Sequence, residues 1–264
     1  MKRHYIFLWL LLLSAFVLFV VVSAFDIPEI AGFRLRSSGI ADALFSKHEE
    51  SPAASDSLLS DTASVAAREA FPVPVDTASQ TILLIGDSML DGIGPRLAAY
   101  ADYNGHALYS VIWYSSTSEV WGSSTRLKDY ISKIKPTYIV VCLGANELFV
   151  RDVESKREKY VRRIIEDIGD IPFLWIGPPN WREDTGINRL IARLAPRGSF
   201  FLSNGMSFDR TGDGAHPTRA SAAMWVDSVA RWMPQHSSHP IRLDTPDKPT
   251  GRARRTYVHQ PSEK

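Results

Sequence analysis

The sequence predicts a doubly wound α/β domain built on a parallel sheet. Three observations lead there. Short apolar runs alternate with segments of helical spacing from Thr81 to Met233. One run, Tyr138 to Leu143, is apolar without interruption, as suits a strand covered on both faces. Unusual polar residues gather in the loops that follow the runs, at the sheet edge where open α/β folds bind ligands.

The elements follow in order. Thr81 to Ile85 reads as the first strand and Pro95 to Tyr103 as a helix, with Pro95 in its first turn and Gly105 past its end. Ala107 to Trp113 is the second strand. Thr125 to Ile134 carries Leu127, Tyr130, Ile131 and Ile134 at helical spacing and is stopped by Pro136. Tyr138 to Leu143 is the third strand. Val153 to Ile168 is an amphipathic helix with Tyr160, Val161, Ile164, Ile165 and Ile168 inward. Its charged residues read as a solvated face. Phe173 to Ile176 is strand four, Ile187 to Ala195 a helix, Phe200 to Leu202 strand five, and Arg219 to Met233 a last helix. Five strands and right-handed crossovers make the expected sheet.

Outside this core the composition changes. Lys2, Arg3 and His4 precede Ile6 to Phe25, 20 residues without a charge. That length spans a bilayer as a helix, and the positive flank keeps the N-terminus cytoplasmic. Val22-Ser23-Ala24 also resembles a signal-peptide cleavage site, so secretion of the cleaved chain is the alternative. Either way the expected location of the domain is extracytoplasmic, or periplasmic. Residues 1–25 are thus read as a transmembrane anchor or signal peptide. Residues 26–80 are read as a juxtamembrane segment and linker, rich in Ser, Ala, Asp, Thr and Pro beyond Ser46. Residues 81–233 form the globular domain and 234–264 a disordered polar tail.

Lys and Arg number 30 against 29 Asp and Glu, so nothing in the charge balance points to nucleic acid. The single cysteine, Cys142, excludes an internal disulfide and a cysteine metal cluster. It reads as a small core residue.

Three loops carry the chemistry. The first is Gly86-Asp87-Ser88, a serine in a turn where a strand stops. The second is Gly144-Ala145-Asn146-Glu147. The third is Asp213-Gly214-Ala215-His216-Pro217. Each has a plain reading alone: Ser88 as a turn or cap residue, Asn146 as turn chemistry, Asp213 as a cap and His216 as a loop residue. Together they form a nucleophile, an amide donor for an oxyanion, and a base oriented by a carboxylate three residues before it.

These motifs resemble blocks I, III and V of the SGNH (GDSL-type) hydrolases, as a membrane-anchored, exported member. The resemblance covers about Thr81 to Met233. It implies a flavodoxin-like three-layer α/β/α sandwich and a serine esterase or acyltransferase without metal or organic cofactor. It assigns Ser88 as nucleophile, Asp213 and His216 as its partners, and Asn146 as oxyanion donor. The chain departs from the pattern twice. Glu147 follows Asn146 where the family commonly has Asp. The loop after strand two, Tyr114 to Gly122, has Gly122 as its only glycine, where the family supplies a glycine N–H to the oxyanion hole. Gly122 is taken as that donor, with the backbone of Ser116 or Thr117 as alternatives.

The expected substrate is an acylated carbohydrate or another ester. The leading expectation is removal or transfer of O-acetyl groups on a cell-envelope polysaccharide or peptidoglycan, with a membrane acyl-transfer partner possible. Lipid or small-ester hydrolysis is the alternative enzyme. A non-catalytic polymer-binding or assembly module is the alternative outside catalysis. Trp113, Tyr114, Trp121, Asn180, Trp181 and Arg182 are candidates for contact with sugar rings, with core packing as the competing role.

Overall fold

The computed structural model describes residues 73–261. The expected membrane span at Ile6 to Phe25, and the linker up to residue 72, lie outside the described residues. Among the described residues no helix is long and apolar enough to cross a membrane.

The elements are β1 (Thr81–Gly86), α1 (Leu90–Tyr103), β2 (Ala107–Trp113), α2 (Ser118–Gly122), α3 (Arg126–Ile134), β3 (Tyr138–Cys142), a 3-10 turn (Ala145–Glu147), α4 (Val153–Ile168), β4 (Phe173–Ile176), α5 (Ile187–Leu194), β5 (Phe200–Phe201), α6 (Arg219–His236) and β6 (Arg255–His259). All pairings in the sheet are parallel, in the order β5-β4-β3-β1-β2-β6. The register sets Gly86 beside both Ile112 and Cys142, so β1, β2 and β3 end together.

Two apolar clusters cover the sheet, one on each face. Ile82, Leu84, Ile112, Val140 and Ile176 face α1 and α6, with Leu97, Trp225 and Val229. Leu83, Ile85, Val111, Val141 and Trp175 face the other layer, with Trp121, Leu127, Ile164 and Leu190. Alternate residues of each strand therefore serve opposite faces, and both faces are apolar. This is a flavodoxin-like three-layer arrangement. The largest buried rings have their polar atoms paired: Trp121 Nε1 donates to Ser116 Oγ at 2.9 Å and Trp225 Nε1 to Ser203 Oγ at 2.8 Å.

Three features differ from the sequence expectation. Helix α1 begins at Leu90, not Pro95, because the turn after β1 leads straight into it: the Leu90 N–H donates to the Asp87 carbonyl and the Asp91 N–H to the Ser88 carbonyl. Pro95 sits sixth in the helix, where it can make no bond to the Asp91 carbonyl. The loop after β2 contains α2, started by Thr117, whose Oγ1 accepts from the Val120 N–H at 3.3 Å.

The third difference is the largest. The sheet has six strands, not five, and residues 234–261 are not a disordered tail. Helix α6 continues through Pro234 to His236, and the chain then returns along α1 to add β6 beside β2. Polar residues make this segment adhere. The Asn104 side chain donates to the Asp244 carbonyl and accepts from its N–H, both at 2.9 Å. Arg96 donates to the Lys248 carbonyl, and Gly251 lies directly on the backbone of α1. Asp76 pairs with Ile241, so residues 73–80 of the expected linker are also part of the domain.

The Gly251 contact yields a test. A Cβ there would lie 2.6 Å from the Ala99 nitrogen, so Gly251→Val is expected to destabilise by about 1–3 kcal/mol. At Gly205 nothing lies within 4 Å, so Gly205→Val is expected to change stability by less than about 0.5 kcal/mol. Urea unfolding of the two variants checks this.

Candidate active site

The parallel sheet brings the three loops to one edge. Ser88 leaves β1 in a turn held by Asp87, whose Oδ1 accepts from the Met89 N–H at 2.9 Å. Ser88 therefore stands at the amino end of α1, where helix geometry favours developing negative charge. It is partly exposed, while Asp87 beneath it is fully buried.

His216 comes from the loop before α6. Its Nε2 lies 2.7 Å from Ser88 Oγ, and its Nδ1 lies 2.7 Å from Asp213 Oδ2. Asp213 Oδ1 accepts from the N–H groups of Ala215 (2.8 Å) and His216 (3.0 Å) and from the Thr211 hydroxyl (2.9 Å). These bonds, led by those from the His216 and Ala215 backbone, hold the Asp213 carboxyl well below its ordinary range. An ionised carboxylate can only accept, so Nδ1 of His216 donates to it. In the neutral ring Nε2 is then an acceptor facing the Ser88 hydroxyl. The loop is anchored from outside by Arg210, which donates to the carbonyls of Ala215, Pro179 and Asn180.

Asn146 lies in the 3-10 turn after β3. The turn requires glycine at position 144, where φ is +121° and a Cβ would meet Pro178 at 3.1 Å. Asn146 Nδ2 donates to the Ser116 carbonyl at 2.9 Å and lies 3.4 Å from Asp87 Oδ2. The amide thus bridges the loop after β2 and the carboxyl beneath Ser88.

Among the described residues no hydrogen bond links Gly122 to Ser88, Asn146 or His216. Gly122 ends α2, and its missing side chain lets α2 lie on α4: a Cβ would come within 2.7 Å of the Tyr160 carbonyl oxygen. The Ser116 N–H donates to the Trp113 carbonyl at 3.1 Å. The N–H groups of Ser115 and Thr117 have no protein acceptor among the described residues. Ser115 was not singled out in the sequence. It has φ of +57°, a conformation that favours glycine, at an exposed point of the loop. Nothing in the serine-rich run Ser115 to Ser118 marks that residue as left-handed.

The aromatic candidates divide. Trp113 and Trp121 are fully buried and serve the core, because their rings stack edge to face at 5.4 Å. Tyr114 is partly buried, with its hydroxyl donating to Asp91 at 2.9 Å. Asn180 accepts from the Asn188 side chain at 3.0 Å. Trp181 is partly buried and Arg182 exposed, and both adjoin the turn that carries Asn146. Trp181 Nε1 donates to the Ala145 carbonyl at 3.0 Å, and the Arg182 guanidinium lies 4.7 Å from its ring.

Two buried carboxyls flank the site. Burial pushes the Asp87 carboxyl up to about 7; the nearby Glu147 adds to the rise, while the Met89 N–H and His216 oppose it. Burial also raises Glu147, opposed by Ser118 and Arg157. Among the described residues no group of three or more His, Cys, Asp or Glu could hold a metal ion.

No protein-family model matches the chain, and no curated protein matches it. Solved structures do. The psychrotrophic esterase EstA from Pseudoalteromonas sp., in a structure inhibited by monoethylphosphonate, aligns over 58% of this chain and 97% of its own, at 16% identity and TM-score 0.43. TesA aligns over 57% and 96%, at 18% identity and TM-score 0.45. The salicylyl-acyltransferase SsfX3 from a tetracycline biosynthetic pathway aligns over 59% and 55%, at 16% identity and TM-score 0.41.

The raised Asp87 gives a pH prediction for stability. Its carboxyl is about 7 folded against 3.8 as the ordinary value, so folding favours the protonated form. Its contribution is fully present below about pH 4 and is lost as pH rises through 7, roughly 4 kcal/mol at most. Asp213 acts oppositely, and its contribution is lost as pH falls below about 4. Asp87→Asn is expected to flatten the decline in unfolding free energy between pH 4 and pH 7, read by urea melts across that range. An unchanged slope would contradict the assignment.

Proposed function

We propose that the protein is a serine esterase or O-acyltransferase that works through an acyl-enzyme. One observation carries this reading: Ser88, His216 and Asp213 form a continuous hydrogen-bonded chain, 2.7 Å at each link, with the Asn146 amide in the adjoining loop. A serine hydroxyl is a weak nucleophile unless a base removes its proton during attack, and this chain provides that base with a fixed tautomer.

In the proposed mechanism Ser88 Oγ attacks an ester carbonyl carbon while His216 Nε2 takes the hydroxyl proton. The carbonyl oxygen becomes an oxyanion. The Ser88 N–H, the Asn146 amide and an N–H of Ser115 or Thr117 bind it, and the amino end of α1 favours its charge. His216 then gives the proton to the leaving alcohol. Water, or a second hydroxyl compound, loses a proton to His216 and attacks the acyl carbon; the acyl–Ser88 bond then breaks as His216 Nε2 returns the proton to Ser88 Oγ, which frees Ser88. Asp213 stays ionised throughout and stabilises the imidazolium.

The proposed substrate is an O-acetylated carbohydrate polymer of the cell envelope. Two features support it. The charge-free run at Ile6 to Phe25 follows Lys2 and Arg3, as in a chain anchored with its following domain outside the cytoplasm. The exposed Arg182, stacked on Trp181 beside the turn that carries Asn146, offers polar donors of the kind that contact sugar hydroxyls. Hydrolase and transferase differ only in the nucleophile that meets the acyl-enzyme. Adding an acceptor glycan and following acetyl transfer by mass spectrometry separates them.

The test of the mechanism is turnover of p-nitrophenyl acetate by the full chain. Ser88→Ala is expected to lower kcat by more than ~1,000-fold without moving the thermal midpoint by more than about 2 °C. Asn146→Ala is expected to lower kcat about 100- to 1,000-fold. Equal rates for Ser88→Ala and the unaltered chain would sink the serine mechanism and leave a binding module.

A further inference from the structure

The residue after Asn146 makes a second grip on the same loop. The Glu147 side chain is 0% exposed. Its Oε2 accepts from the Ser118 N–H at 3.0 Å, and its Oε1 accepts from the Ser118 hydroxyl at 2.6 Å and from Arg157 Nε at 2.9 Å. Arg157 reaches on to Glu119 at 2.8 Å, so the guanidinium lies between two carboxylates. Asn146 meanwhile holds the Ser116 carbonyl. Two consecutive residues of the loop after β3 thus hold Ser116 and Ser118, and Thr117 is suspended between them.

A buried carboxylate is an expensive way to fasten a loop. Desolvating it costs several kcal/mol, and an apolar residue of similar size commonly packs as well. What the carboxylate adds is direction. It accepts from a backbone N–H and a hydroxyl of one residue at once, which fixes both the position and the rotation of that residue. The loop so fixed carries the N–H groups of Ser115 and Thr117, which have no protein acceptor among the described residues.

We infer that Glu147 is a positioning residue that aligns the loop after β2 with Asn146, through Ser118, so that both can bind one oxyanion. The inference rests on the reading of Ser88 as nucleophile. Glu147 does not touch substrate. It acts on the transition state only, because the ester carbonyl of bound substrate carries little charge. Loss of alignment therefore lowers kcat and leaves KM nearly unchanged.

The experiment measures kcat and KM for p-nitrophenyl acetate in the full chain, with thermal melts alongside. Glu147→Gln keeps the shape and removes the charge. Ser118→Ala removes one hydrogen bond, and Ser118→Thr restores it. Glu147→Gln and Ser118→Ala are expected to lower kcat about 10- to 100-fold with KM within about twofold, and Ser118→Thr to return most of the rate. Should Glu147→Gln fail to fold, the Ser118 pair decides alone. If the unaltered chain has Ser88-dependent turnover but the folded variants keep its kcat, this inference falls alone. A rise in KM at constant kcat, or a Ser118→Thr variant as slow as Ser118→Ala, overturns it too. Absence of Ser88-dependent turnover in the unaltered chain overturns it together with the serine mechanism.

Discussion

Everything at the site depends on the contact between His216 Nε2 and Ser88 Oγ, two atoms 2.7 Å apart and 128 residues apart in sequence. No local propensity makes such a contact. It exists because α1 and α6 lie side by side on one face of the sheet, where Gly92 and Ala222 approach so closely that a Cβ on Gly92 would be 3.0 Å from that of Ala222. Ser88 precedes the first of these helices and His216 the second. The apolar face that binds both helices to the strands also fixes the distance between their amino ends. Packing of the core and alignment of the polar chain are one constraint, so the hydrogen bond needs little added conformational cost when it forms.

The loops are stiffened by polar groups, because their short spans offer few apolar contacts. Asp213 Oδ1 takes two N–H groups, one of them that of His216, and a hydroxyl, which leaves Oδ2 for the His216 ring. Thr218 caps α6 by accepting from the Ser221 N–H at 3.2 Å, which anchors the far end of the same loop. Asp87 and Glu147 work differently. They are buried, and burial opposes their ionised forms. Glu147 has Arg157 beside it as compensation. Asp87 has only one backbone N–H and a long approach from Asn146, so burial prevails and its carboxyl titrates near neutrality.

Much of this was legible in the sequence, and the residues show why. Tyr138 to Cys142 and Phe173 to Ile176 are continuously apolar, and only strands buried on both faces ask for that. Ser88, Asn146, Asp213 and His216 were visible because side-chain chemistry restricts which residue types can serve. The backbone donor proposed for the oxyanion carries no such mark. Ser115 and Thr117 look like any residue in a serine-rich loop, and Gly122 drew the assignment only because it was the one glycine there. What the structure shows at Gly122 is clearance against Tyr160, a partner 38 positions away that sequence order does not reveal. Strand β6 was hidden by its position. An edge strand has one hydrogen-bonded neighbour, and its side chains are mostly exposed, so Arg255 to His259 lacks an apolar run. Thr256-Tyr257-Val258 is a β-prone tripeptide, but Pro- and Arg-rich flanks mask it.

Strand β6 also explains why the loop after β2 can dispense with glycine. The Tyr114 N–H donates to the His259 carbonyl at 3.0 Å, and Trp113 Nε1 donates to the Gln260 carbonyl at 3.2 Å. The last residue of β2 and the first of the loop are therefore held by the added strand. One position later the chain must turn sharply, and Ser115 does so at φ +57°. For a residue with a Cβ this conformation costs on the order of 1 kcal/mol. It persists because the backbone is fixed on both sides: by β6 before the turn, and by the Asn146 and Glu147 side chains at Ser116 and Ser118 after it. A glycine would adopt the turn unaided but would leave the loop freer in the absence of those contacts. In this chain the alignment is imposed from outside the loop, and an added strand and a buried carboxylate do what backbone permissiveness alone does not.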